Sequence, residues 1–549
     1  MGADGDLPRP SLPAPRDSRP LVWHPFLLAL YPVVFLYAAN AGEARLNQVW
    51  FPSAVLELLA GVLILLGLVL YRDLRPAGIL ASAILVVFCF YGHISRPLGQ
   101  IHLGELTPFR HRVLLPLMFL ALLGLAWGLL RRRNSWSGLT SILNSAAAIL
   151  LALALLQAGQ YELSRPPRTT LVPGEAITQR SPLQTRPDIY VLIADEYART
   201  DTMLKTFGVD DSAFLENLRQ MGFVVARGSQ CNYSRTTPSL ASFLNLDYLP
   251  ALQPDDLLDP PRDPHWMDMI RRNRAMAFVR RQGYRTVSYV SSWTATQGIE
   301  NLDLEVDSTP HFNEFTGLLI RGSFISFLQD VLGLADLDPE VAHRVRVLDI
   351  LDDLQTRPRA PDRPTFTFAH IPAPHEPFVL RADGSLIPRE AKERLGFKNS
   401  FYSSPPEAQE RMYQAFYPDQ ARFVAGRLET IARTLLERPG PKPIILIASD
   451  HGSCLSLVRL PYQERYEPSP EFLAERFPNL IALHMPGIRQ EDLDGISLVN
   501  VLRLILREGL QADLPPLPDR FFFVSKHLRE VTEPVLRNRQ AALQAEEVP

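Results

Sequence analysis

Residues 444–452 read IILIASDHG, and residues 189–196 read IYVLIADE. Each is a short, uniformly apolar run that ends abruptly in acids. A run apolar on both faces, too short for a buried helix, predicts a strand inside a parallel sheet covered on both sides. In such sheets ligands bind beyond the carboxyl ends of the strands, so the residues just after each run carry the chemistry. Here they are Asp195 and Glu196, then Ser449, Asp450, His451 and Gly452.

Working outward, the same alternation continues. Strands are expected at Phe223–Ala226, Thr286–Val290 and Thr365–Ala369. Helices are expected at Ser212–Met221, closed by Gly222, at Met267–Gln282, closed by Gly283, and at Gln420–Glu437. Glycine just past a helix end supplies the left-handed residue that terminates it. Alternating strands and helices define an α/β domain with a largely parallel sheet covered by helices on both faces. The third strand delivers His370, followed by Pro372, His375, Glu376 and Pro377. Three strands thus bring carboxylates and imidazoles to one edge. Hard oxygen donors with one or two histidines suit Zn or Mn, with Mg or Ca also compatible. An acid after a strand also serves as a plain helix cap, so the set carries more weight than any member.

Residues 231–245 read CNYSRTTPSLASFLN. Pro238 fits the first position of a helix with Thr237 as its N-cap. Thr236 then stands just outside a helix N-terminus, where backbone N–H groups favour an anion. A threonine hydroxyl becomes a nucleophile when a divalent cation lowers its pKa. The competing assignment makes Thr236, Thr237 and Ser239 capping residues only.

The N-terminal part differs in kind. Its first 160 residues hold 12 Arg and 7 Asp+Glu, and the remaining 389 hold 44 Lys+Arg and 52 Asp+Glu. Apolar stretches run through Leu21–Ala41, Trp50–Tyr71, Pro76–Gly92, Val113–Leu130 and Leu139–Gln157, each near the ~20 residues a bilayer core needs. They lack a polar stripe at helical spacing, which excludes surface helices. An all-α membrane domain of about five transmembrane helices is expected, and four further spans after the first argue against a cleaved signal peptide. Arg72 and Arg75, and Arg131, Arg132 and Arg133, mark two loops as cytoplasmic. Everything after Gln157 then lies outside. Arg96, Arg110 and Arg112 sit in a loop of the opposite side, where they meet lipid headgroups or hold a lipid phosphate. Glu57 is an intramembrane carboxylate, functional by default or hydrogen-bonded to a neighbouring helix.

The chain therefore divides into a cytoplasmic tail (1–20), a transmembrane domain (21–160), a Pro-rich linker (161–187), a catalytic domain (188–515) and a C-terminal strand and helical tail (516–549). A formal net charge of −3 excludes a nucleic-acid-coating protein. Three cysteines exclude a disulfide scaffold and a four-thiolate cluster. There is no internal repeat and no Gly-rich phosphate loop. Only 5 of the 56 basic residues are lysine, a bias expected of a GC-rich bacterial genome.

Taken together, these residues resemble the alkaline phosphatase/sulfatase superfamily, and within it the membrane-anchored branch of lipoteichoic acid synthases and lipid A phosphoethanolamine transferases. ADEYAR resembles the first metal-ligand segment, RTTPSLAS the nucleophile segment, HIPAPHEPF the His-x-Pro substrate segment and ASDHG the second metal-ligand segment. RFPNLIALHMPG resembles the strand that follows. The resemblance implies metal ligation by Asp195, Glu196, Asp450 and His451, with Thr236 as nucleophile and ligand. It implies that His375, and His370 beside it, contact the substrate phosphate or protonate the leaving group. It also implies a bacterial cytoplasmic membrane protein with its catalytic domain on the outer side, a phospholipid donor and a glycan or lipid acceptor. Thr236 and Leu240 stand where sulfatases have the Cys and Arg of Cys-x-Pro-x-Arg, which argues against ordinary sulfate-ester hydrolysis. The alternatives are a hydrolase of a phosphodiester or sulfate ester, and a catalytically inactive binding protein. His484, the next histidine after Asp-His-Gly, falls in an apolar strand and is assigned a structural role. Cys231 and Cys454 flank the site segments and either pair or remain separate thiols.

Overall fold

A computed structural model describes residues 20–41, 44–99, 111–131, 136–164, 177–181, 186–252, 263–291, 294–308, 313–332, 339–360, 362–397, 401–460 and 467–546. The chain forms two compact units, one built from the N-terminal helices together with Leu318–Leu332, the other from the remainder.

In the first unit the apolar helices are α1 (His24–Ala39), α2 (Trp50–Tyr71), α3 (Leu74–Gly99), α4 (His111–Arg131) and α5 (Ser137–Ser164). Among the described residues four helical stretches are long and apolar enough to cross a membrane, and α1, at 16 residues, is shorter. Their outward faces carry large aliphatic side chains such as Leu58, Leu66 and Leu156. Ala29, Ala60 and Leu85 form a buried apolar contact among α1, α2 and α3. The start of α1 is capped from α5: the Asn144 carboxamide oxygen accepts from the N–H groups of Trp23 and His24 at 3.0 and 2.9 Å. That satisfies donors which lipid could not. Glu57 lies in α2 with one carboxylate oxygen buried and accepting no hydrogen bond. Arg110, Arg132, Arg133 and most of the Pro-rich linker lie outside the described residues.

Among the described residues the second unit contains β1 (Ile189–Ala194), β2 (Val224–Val225), β3 (Arg285–Tyr289), β4 (Leu304–Val306), β5 (Thr365–Ile371), β6 (Ile444–Ala448) and β7 (Ile481–His484). They form one sheet in the order β2-β7-β6-β1-β5-β3-β4. β1 pairs in parallel with β5 and β6, and β3 pairs in parallel with β5 and β4. β7 runs antiparallel to both of its neighbours. The apolar runs alternate between two cores. Ile189, Val191 and Ile193 face one, and Tyr190, Leu192 and Ala194 face the other. This is why no polar alternation marks these strands. A two-stranded ribbon, β8 (Phe522–Val524) and β9 (Leu528–Glu530), adds Phe522 and Phe523 to the first core.

Three local expectations change. Met267–Gln282 is two helices, Asp263–Arg271 and Arg274–Arg281, because the Asn273 side chain caps the second by accepting from the Met276 N–H. The helix over Gln420–Glu437 begins earlier, at Pro406. The 236–245 helix begins at Thr236 with Arg235 in the cap position, so Thr237 is inside the helix rather than its cap.

Candidate active site

Register places the chemistry. Ile193 of β1 lies opposite His370 on β5 and Ala448 on β6. His370 is therefore inside its strand, not after it, and its side chain is fully buried. Beyond β1 the chain turns through Asp195 and Glu196, with Glu196 in the left-handed region at φ 67°. For a non-glycine residue this is a costly conformation, retained where surroundings fix it. The turn sends the two carboxylates to different partners.

Asp195 faces the histidines: its carboxylate lies 3.5 Å from His370 Nε2 and 3.8 Å from His451 Nε2. Asp450 Oδ1 accepts from the N–H groups of Glu196 and His451, at 3.1 and 3.0 Å, which fixes the carboxylate and leaves Oδ2 3.1 Å from His451 Nε2. His451 Nδ1 lies 3.2 Å from the Gly452 carbonyl. A carbonyl only accepts, so Nδ1 carries the hydrogen and Nε2 offers a lone pair. Thr236 Oγ1 sits 2.9 Å from that Nε2. The helix bearing Thr236 is tied to the same loop, since the Ser239 hydroxyl donates to the Asp450 carbonyl at 2.7 Å.

Glu196 turns instead to Arg476, whose Nη1 donates to Oε1 at 2.7 Å, and to Tyr413, whose hydroxyl donates to the same oxygen at 2.5 Å. Its Oε2 lies 3.5 Å from His375 Nε2. His375 Nδ1 donates to the Glu376 carbonyl at 2.6 Å. Gln420 holds that loop, donating to the carbonyls of Pro374 and His375 and accepting from the N–H groups of Val379 and Leu380.

Donor atoms of Asp195, His370 and Asp450 lie within 4.8 Å of one another, as do those of Glu196, His375 and Glu376. The first set fits a cation on its own chemistry. Asp195 Oδ1 and Asp450 Oδ2 are buried and accept no hydrogen bond, an arrangement that is costly unless a cation fills it. Burial, reinforced by Asp450, pushes the Asp195 carboxyl well above its usual range. Burial lifts Asp450 to about 6, although N–H donors and Arg476 oppose it. Burial lowers His370 to about 3. His375 behaves oppositely: burial disfavours its charge, yet Glu376, Asp195 and Glu196 raise it to about 10. It is an imidazolium matched to the carboxylates around it.

Arg476 and Glu475 were not singled out from the sequence. Arg476 is buried and, besides Glu196, makes three contacts: Nε to the Ser234 carbonyl at 2.9 Å, Nη1 to Gly452 O at 2.8 Å, and Nη2 to His451 Nε2 at 3.1 Å. Glu475 accepts from the Ser453 hydroxyl and from the N–H groups of Leu455 and Ser456, holding the turn after Asp-His-Gly. They reach the site because β7 is antiparallel, so its entry rather than its exit lies at the carboxyl edge. Cys231 and Cys454 are both free thiols. His484 lies in β7, with Nδ1 2.9 Å from the Pro443 carbonyl, away from this cluster and consistent with its structural assignment.

No protein-family model matches the chain, and no curated protein matches it. Solved structures do. The zinc complex of the C-terminal periplasmic domain of EcEptC from Escherichia coli matches at a TM-score of 0.42 and 12% identity, over 65% of this chain and 96% of that one. The integral membrane lipooligosaccharide phosphoethanolamine transferase A from Neisseria meningitidis matches at 0.38 and 14%, over 89% and 95%. A putative sulfatase from Bacteroides thetaiotaomicron matches at 0.38 and 13%, over 60% and 72%. All three scores lie below 0.5, and the function is argued from the site's own geometry.

Proposed function

We propose that the chain is a metal-dependent transferase that moves a phospho-headgroup from a membrane phospholipid to a glycan or lipid acceptor at the outer face of a bacterial cytoplasmic membrane. The observation that carries this reading is Thr236 Oγ1 at 2.9 Å from His451 Nε2, beside the unsatisfied oxygens of Asp195 and Asp450.

Asp195, Asp450 and His370 would hold a divalent cation, with His451 and Thr236 at its margin. Bound there, the cation supplies positive charge that lowers the pKa of the Thr236 hydroxyl and offsets charge on a phosphoryl oxygen. The Thr236 hydroxyl attacks phosphorus and displaces the lipid alcohol, giving a phospho-threonine. The half-buried His375 imidazolium is placed to bind a phosphoryl oxygen or give its proton to the departing oxygen. An acceptor hydroxyl then attacks the phospho-threonine from the opposite side and regenerates Thr236. A helix beginning at Thr236 aims its free N–H groups at the same anion. Four of the described helices are long and apolar enough to cross a membrane, which suits a lipid donor.

Incubation of the full chain with phospholipid labelled in its headgroup tests the reading. Label is expected on Thr236 and then on an added acceptor. Thr236→Ala should lower turnover by about 10³-fold or more. Full activity in that variant would remove the nucleophile assignment. Free phospho-headgroup as the sole product would turn the transferase into a hydrolase.

A further inference from the structure

β5 departs from its neighbours on one face. Phe366 and Phe368 enter the first core, whereas Thr365 and Thr367 lie on the other face, in line with Ala369. Register sets Thr367 between Tyr190 of β1 and Val287 of β3, and Thr365 beside Arg285. Two short hydroxyl side chains between longer neighbours leave a trough in the sheet. Thr367 is 4% exposed, and among the described residues its hydroxyl makes no hydrogen bond. A hydroxyl buried this deeply normally has a partner.

A cavity of about 290 Å³ stands at this trough, lined by these sheet residues together with Leu354, near the end of the helix Pro339–Thr356, and residues 357–360. Arg285, Arg357, Arg359 and Arg438 all line it, and among the described residues no carboxylate does. Two of the four are paired with acids that do not reach the cavity. Arg357 Nε donates to Asp353 at 2.7 Å, and Arg359 Nε lies 2.8 Å from Asp188. Arg438 has only neutral partners, Nη1 donating to the Tyr190 hydroxyl at 3.2 Å and Nη2 to the Gln355 carbonyl at 2.9 Å. The Arg285 side chain makes no hydrogen bond or ion pair among the described residues.

Two half-buried guanidinium charges, Arg285 and Arg438, thus face one cavity without a carboxylate between them. Unmatched charge held away from water favours an ion of opposite sign. Forked guanidinium donors and hydroxyls suit the oxygens of phosphate and carboxylate groups. The Tyr190 hydroxyl, which accepts from Arg438, keeps its own proton to donate. Side chains alternate along a strand, so His370, three residues beyond Thr367, projects from the opposite face of β5. The cavity is therefore separate from the Asp195–His370–Asp450 cluster. We infer that it is a second anion site, filled by a compact dianion whose oxygens belong to phosphate or carboxylate groups. The inference is independent of the reaction proposed above.

The test is calorimetric titration of the chelated full chain with inorganic phosphate and, separately, with succinate, at a pH where both are dianions. Binding of at least one of them is expected, and which one binds distinguishes the two oxygen chemistries. Arg285→Gln should weaken that binding about tenfold, and Thr367→Val about threefold, since each removes one donor to the anion. Neither substitution breaks a bond within the folded chain, so both variants should keep the melting temperature of the parent. His375→Gln lies in the catalytic cluster and should leave this binding unchanged. Failure of both anions to bind would overturn the inference. So would binding that is unaltered in Arg285→Gln and Thr367→Val but lost in His375→Gln, which would put the anion in the catalytic cluster instead.

Discussion

Arg476 Nη1 donates to Glu196 Oε1 across 2.7 Å, and the same guanidinium reaches His451 Nε2 at 3.1 Å. A fixed cation therefore stands between two residues that the sequence assigns to a metal. Burial disfavours charge on Arg476, but its neighbours, Glu196 foremost with Cys454, Tyr413 and Asp450, together outweigh it and raise its pKa. Removing one partner of such a buried pair strands the other. Arg476→Gln should cost about 3–5 kcal/mol of stability. Arg476→Lys should recover part of it, since one ammonium cannot replace the forked donors. Thermal unfolding of the purified full chain reads both. A melting temperature unchanged by Arg476→Gln would show that Glu196 does not depend on this guanidinium.

Removal of divalent metal should be visible without any substrate. Asp195 and Asp450 present buried oxygens with no hydrogen bond, so the chelated protein holds mutually repelling carboxylates. Ligand bound only to the folded state stabilises it by about 2.7 kcal/mol at a hundredfold excess over Kd. Chelation should lower the melting temperature, and Zn or Mn should restore it. In Asp450→Asn the shift on adding metal should shrink or vanish. A chelation shift that persists undiminished in that variant would place the cation elsewhere.

The fold was legible because its strands are extreme. IYVLIA and IILIA are buried on both faces and short, so composition alone declares a central parallel strand, and the register with β5 follows from the common edge. Asp195, Asp450, His451 and His370 were legible for the same reason: each follows, or nearly ends, an apolar run. Thr236 was legible from the Thr-Thr-Pro run that starts a helix. Arg476 and Glu475 were not. They precede a strand, and only the antiparallel direction of β7 brings them to the edge, which no local pattern encodes. The short helices Glu314–Gly322 and Ile325–Leu332 were hidden too, because helices of nine and eight residues carry no span-length signal. The break at Asn273 escaped because the apolar spacing runs on through it while the cap is a single side chain.

Metal affinity should depend on pH in a defined direction. Burial holds Asp450 near 6, so below that pH the carboxyl keeps its proton and a cation must displace it. Affinity is therefore expected to rise with pH through this range, by up to about tenfold per unit below the pKa for one displaced proton. Calorimetric titration of the chelated protein with Zn or Mn at pH 5.5 and 7.5 measures it. Equal affinity at both values would mean that no ligand carboxyl is protonated in that window.

Gly452 offers the sharpest test of how the site is held. Its N–H donates to the Arg476 carbonyl at 2.8 Å, and a Cβ there would lie 2.5 Å from the carbonyls of both Glu475 and Pro478. Those are backbone atoms leading into β7 and cannot swing aside. Gly452→Ala must push the Asp450–His451 turn away from the segment that carries Arg476. Loss of activity is expected with the membrane helices intact, because the strain is confined to one turn of the second unit. Ser453→Ala, which removes only a hydroxyl donating to Glu475, should cost about 1 kcal/mol and leave turnover within a few-fold. Turnover in Gly452→Ala equal to that of Ser453→Ala would show that the turn has room the structure does not contain.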